Sequence, residues 1–90
     1  MEKPLPTKRV PVGPGSSTIY EGVRIEVRPG GGLRVNGSTD QHCLEFNRGV
    51  GGSCRVVALL QGPEVLIFTG SVVGPSMINR QMVLESYGLA

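Results

Sequence analysis

The chain has no tryptophan and only four aromatic residues in ninety, Tyr20, Phe46, Phe68 and Tyr87. Large rings usually dominate core burial, so this core must be built from Val, Leu and Ile. Long apolar runs are missing too. The longest, residues 56–60 and 65–68, fall far short of the ~20 residues needed to cross a bilayer. The first ten residues carry lysines and no apolar stretch, so a secretory signal is not expected, and the expected setting is intracellular or cytoplasmic. Basic and acidic residues nearly balance, nine against seven. A formal net charge of +2 does not support specific nucleic-acid binding, which calls for a concentrated basic patch.

Chemistry-bearing residues are equally sparse. His42 is the one histidine, and Cys43 and Cys54 are the only cysteines. Asp40, His42 and Cys54 have the residue types of a thiolate nucleophile with base and orienter, but a turn Asp, a strand-end His and a small Cys are ordinary structural residues. No catalytic residue is expected. Two cysteines eleven apart lack the spacing of a zinc site, and no metal or cofactor is expected. Strand alternation turns them to opposite faces, against a disulfide, so both read as free thiols. The loop at 49–53 resembles a phosphate cradle superficially, but it opens a strand instead of a helix.

Fourteen glycines and seven prolines imply many turns. Four prolines fall in residues 1–17, which read as an extended arm. Lys8, Arg9, Pro11 and Pro14 in that arm fit the shape of a polyproline ligand for a partner domain. Residues 18–90 read as a single β-rich domain. Val23, Ile25 and Val27 alternate with Arg24, Glu26 and Arg28, the pattern of a half-buried strand. A glycine turn then leads to Leu33, Arg34 and Val35. A three-residue loop pairs Val27 with Val35 and Arg28 with Arg34, keeping apolar opposite apolar. Arg24, Arg28 and Arg34 then share one exposed face, a candidate site for a small anion or nucleotide.

Further strands are expected at 40–47, 53–61 and 64–73, with a bulge at Gly70. A loop at 61–64 sets Leu60 against Val65 and Ala58 against Ile67. Val57, Leu59, Leu66 and Phe68 then form a second apolar face opposite the first. Burying one such side chain is worth ~1.5–3 kcal/mol, so both faces need cover. A short helix near 77–87, capped by Ser76 and stopped by Gly88, supplies part of it. A ninety-residue chain with a two-sided apolar sheet predicts a homo-oligomer, with Val57, Leu59, Leu66, Phe68, Met82 and Tyr87 as candidate interface.

The expected fold is therefore all-β: a small sandwich or barrel of five or six mainly antiparallel strands, with a C-terminal helix and an N-terminal arm. The expected function is a non-enzymatic oligomeric binding or assembly module, by analogy with small accessory and structural proteins of viruses and phages. The alternatives are an anion- or nucleotide-binding module using the arginines, and an adaptor whose arm engages another protein.

Overall fold

The structure is a computed structural model that describes residues 4–47 and 54–90. The glycine loop at 49–53 lies outside the described residues. Eight strands and one helix run in the order β1 (Lys8–Pro11), β2 (Ser17–Tyr20), β3 (Val23–Val27), β4 (Leu33–Val35), β5 (Ser38–Asp40), β6 (Cys43–Asn47), β7 (Cys54–Gln61), β8 (Glu64–Ser71) and α1 (Arg80–Ser86). The strands form two antiparallel sheets. Sheet A has the order β1-β8-β7-β6 and sheet B the order β2-β3-β4-β5. This is a sandwich with a helix on its outside.

The strand count exceeds the expected five or six for two reasons. The run from 38 to 47 breaks at Gln41 and His42, so β5 ends sheet B and β6 begins sheet A. The arm also contributes a strand. Residues 8–11 are extended and pair with β8 from Lys8↔Ile67 to Pro11↔Glu64. Pro11 is tolerated because β1 is an edge strand. The Val12 N–H donates to the Pro63 carbonyl at 2.8 Å, so by alternation the missing donor of Pro11 falls on the outer side. A turn then carries the chain to sheet B. Ser16 N donates to Gly13 O at 3.0 Å, with Pro14 and a positive-φ Gly15 at the two central positions.

The β7–β8 register is the one read from alternation: Leu60↔Val65, Ala58↔Ile67 and Gln61↔Glu64. Its two faces feed two cores. Val56, Ala58, Val65 and Ile67 pack against Ile25, Val27, Leu33 and Val35 of sheet B. Val57, Leu59, Leu66 and Phe68 pack with Cys43 against Ile78, Val83 and Leu84. Each such side chain contributes about 1.5–3 kcal/mol when fully buried.

The β3–β4 register differs from expectation. Val27 pairs with Leu33, Glu26 with Arg34, and Ile25 with Val35. The loop spans residues 28–32, closed by Arg28 N to Gly32 O and Gly31 N to Arg28 O, both 2.9 Å. Gly31 and Gly32 have φ of 101° and 89°, which glycine adopts without strain. A Cβ on Gly32 would also lie 2.6 Å from the Asp40 carbonyl oxygen. The shift of two residues keeps every side chain on its face and exchanges an Arg–Arg opposition for Glu26 opposite Arg34.

The helix starts later than expected. Asn79, not Ser76, is the N-cap, its side chain accepting from Met82 N at 2.9 Å. The end at Gly88 matches expectation. Leu89 N donates to Leu84 O and Gly88 N to Glu85 O, the bond pair of a Schellman motif. Ser76 serves the crossing instead: its carbonyl accepts from Ser71 N at 3.2 Å. Gly70 makes no bulge, because it pairs in register with Arg55. It is small because the C-terminal segment lies on it. A Cβ there would meet Ile78 Cγ2 at 2.5 Å and Ser76 O at 2.6 Å.

Candidate functional site

Sheet B has an inner face in the core and an outer face open to solvent. Cross-strand pairing puts Ser17 and Ile19 of β2, Arg24 and Glu26 of β3, Arg34 of β4 and Thr39 of β5 on the outer face. Two-residue turns with positive φ at both positions, Glu21-Gly22 and Asn36-Gly37, link β2 to β3 and β4 to β5. Arg24, Glu26, Arg34, Asn36 and Gly37 line an open depression of about 300 Å³.

Glu26 organises this depression. Its Oε1 lies 3.2 Å from Arg24 Nε and its Oε2 3.6 Å from Arg34 Nε. Both contacts use the inner guanidinium nitrogen. Arg28 follows on the same side of β3 at the turn, and its side chain is exposed. The strand positions of this face therefore carry Arg24 and Arg34 against Glu26, with Arg28 in the turn at one end of β3 and Glu21 in the turn at the other. Elsewhere Arg9 pairs with Glu64 at 3.7 Å, Arg55 with Glu45 at 2.9 Å, and Arg80 with Asp40 at 2.8 Å. The three candidate anion-binding arginines thus lie on one open face, with Arg24 and Arg34 brought together. Arg28 stands apart at the turn and does not oppose Arg34.

The other candidates are placed differently. Val57, Leu59, Leu66 and Phe68 are buried under α1 and the segment leading to it. Met82 and Tyr87 pack on the edge of that core, with the Tyr87 ring edge-on to Phe68 at 5.8 Å. The chain's own helix covers this face, so its burial no longer requires a second subunit. Lys8, Arg9 and Pro11 sit in the β1 ladder and Pro14 in the following turn. None of the four is free in a polyproline helix.

Asp40, His42 and Cys54 do not converge. The Leu60 N–H donates to the His42 carbonyl at 2.9 Å, whereas Cys54 pairs with Ser71 at the far end of β7. Six residues of strand separate the two, roughly 20 Å. The Cys54 thiol donates to the Arg55 carbonyl at 3.6 Å. Cys43 faces the helix, and burial pushes its thiol up to about 12, which keeps it protonated and unreactive. Both cysteines are free. Among the described residues, no group of three or more His, Cys, Asp or Glu is placed to hold a metal ion. Among the same residues, no helix is long and apolar enough to cross a membrane.

One polar cluster escaped the sequence reading. Asp40 accepts from the backbone N–H groups of His42 at 2.9 Å and Cys43 at 3.3 Å, which holds the turn between the sheets. Arg80 reaches it from the helix, donating to Asp40 Oδ2 at 2.8 Å and to the Cys43 carbonyl at 3.0 Å. The Arg80 backbone N–H also donates to Glu45 Oε2 at 2.6 Å. Burial works to raise the Asp40 pKa. The two backbone N–H groups and the Arg80 guanidinium outweigh it and hold the carboxyl below its usual range. The cluster clamps α1 to the corner where the two sheets meet. The Asp at a chain corner was a legible turn signal. Its partner forty residues away gave none. No protein-family model matches this chain, and neither does a curated protein or a solved structure.

Proposed function

We propose that this protein is a non-enzymatic binding module that takes an anionic group, a carboxylate or phosphate, on the outer face of sheet B. The observation that carries this reading is the charge imbalance of that face, with Arg24 and Arg34 aligned on either side of Glu26. Guanidinium forks bind such oxyanions bidentately, and arginines held in place lose little entropy on binding. The same face offers no aromatic ring, since pairing turns Tyr20 inward with Val23, so base stacking is not part of the reading.

Titration of the isotope-labelled protein with inorganic pyrophosphate, followed by amide NMR shifts, tests the proposal. The expected shifts map to Arg24, Arg34, Asn36 and Gly37 and vanish in an Arg24→Glu/Arg34→Glu variant that keeps its fold. Shifts confined to sheet A or α1, or unchanged in that variant, overturn it.

Assembly through copies of the chain is the second reading. With the outer face of sheet A covered, it now rests on the open edge of β2. An adaptor role for Lys8, Arg9, Pro11 and Pro14 would require a partner domain to draw β1 out of its ladder with β8.

A further inference from the structure

We propose that the free edge of β2 accepts an extended acidic peptide as an added antiparallel strand of sheet B. This deepens the anion-binding reading and rests on it, because it names the ligand class of the same face.

The backbone dictates which groups are available. Val27 N donates to Ser16 O at 2.9 Å, and Tyr20 and Val23 close a two-residue turn. In an antiparallel pair, hydrogen-bonded positions alternate, so Thr18 and Tyr20 turn their N–H and C=O groups towards β3. Those of Ser17 and Ile19 point away from the sheet, at an edge with no neighbouring strand among the described residues.

The four sheet edges are not equally defended. β1 carries Lys8, Arg9 and Pro11, residues that discourage strand addition. β5 is three residues long and ends in the clamped Asp40. β6 is tied to α1 through Glu45 and Cys43. β2 consists of Ser17, Thr18, Ile19 and Tyr20, with no charge and no proline, and two of these residues are β-branched. Ile19 is 65% exposed on the outer face, an apolar contact beside the unpaired groups.

Charge selects the peptide. A residue opposite Ile19 on the added strand shares its outer face, and Arg24 is the cross-strand neighbour of Ile19 on its other side. An acid at that position lies about two strand spacings from Arg24, roughly 10 Å, a gap that two long side chains bridge. The residue opposite Ile19 is also the one whose N–H points at β2. The acidic residues of an alternating peptide are therefore the ones that make the ladder bonds.

The test uses the full chain and blocked heptapeptides of alternating Glu and Val, with affinity read by calorimetry. Methylating the glutamate amide nitrogens weakens binding about tenfold or more, through lost ladder bonds to β2. Methylating the valine amides, which face away, leaves affinity within about twofold on the same ground. Ile19→Pro removes an outward N–H without touching the β2–β3 ladder, and abolishes peptide binding while pyrophosphate still shifts Arg24 and Arg34. Equal binding of the two methylated peptides overturns strand addition and leaves the anion site standing. Absence of both peptide and pyrophosphate binding overturns both. A doubled native mass that Ile19→Pro returns to monomer assigns the edge to a second copy and overturns the peptide proposal.

Discussion

The two outward faces of this sandwich solve opposite problems. The outer side of sheet A is lined by Val57, Leu59, Leu66 and Phe68 and closed by the chain's own C-terminal segment. The outer side of sheet B carries Arg24, Glu26 and Arg34 and stays open. The difference originates in pattern. β3 alternates strictly, so one face is polar and needs no cover. β7 and β8 are apolar at successive positions, so both faces must be buried, and residues 76–90 are recruited to bury one. With the apolar face covered, the charged face is the one left open to solvent.

The comparison is broken most severely at its apolar side. Phe68→Ala removes a fully buried ring that touches Tyr87 and is expected to cost about 3–5 kcal/mol. That is a large share of the ~5–15 kcal/mol total of a small domain. Ile19→Ala on the open face is expected to change stability by at most ~0.5 kcal/mol. Urea unfolding of the two variants measures the contrast. Gly70→Ala comes next. Its new Cβ runs into Ile78 and the Ser76 carbonyl, displacing the crossing that leads to α1. The expected loss is about 1–3 kcal/mol, with increased hydrogen exchange in residues 78–87.

Arg80→Met sharpens the comparison by loosening the helix without altering its apolar contacts. It leaves Asp40 and the Cys43 carbonyl without their helix partner, while the backbone N–H at position 80 still reaches Glu45, and is expected to cost about 1–2 kcal/mol. The pH dependence follows from Asp40. Its folded pKa lies below the ordinary aspartate value, so its stabilisation is full above that ordinary value and is lost as pH falls through the lower, folded one. Without Arg80 the acid transition moves to higher pH, which a urea midpoint series between pH 2 and pH 6 would follow (about the range in which carboxylates titrate). The smallest effect belongs to the charged face. Glu26→Gln removes two exposed ion pairs and is expected to change stability by less than ~0.5 kcal/mol. The same change raises affinity for pyrophosphate, because the fork loses its internal anion. A drop in affinity would mean that Glu26 serves chiefly to align the arginines.

Alternation made much of this fold legible. The β7–β8 pairing and both of its faces follow from apolar residues at successive positions and a short loop at Gly62 and Pro63. The β3–β4 hairpin was legible in its faces but not in its register. A slip of two residues preserves every inward and outward side chain, and only the glycine loop geometry and the Glu26–Arg34 opposition distinguish the two alignments. The ladder made by Lys8–Pro11 was hidden because a proline-rich segment gives the same local signal whether it is free or lies on a sheet edge. Gly70 reads as a bulge from local pattern, since the Ile78 that lies against it is distant until the chain folds. For the site, the three arginines and their shared face were readable. The depression between Arg24 and Arg34 was not, because it depends on Glu26 standing between them.

The contrast between a covered apolar face and an open charged one is tested most directly by native mass. Light scattering would be applied across a concentration series to the full chain and to a chain ending at Ser76. The full chain is expected to run as the 9.5 kDa monomer. The truncated one is expected to associate with rising concentration, because its Val57, Leu59, Leu66 and Phe68 lose their cover. A folded monomer in both cases, or the same oligomer in both, would contradict that contrast.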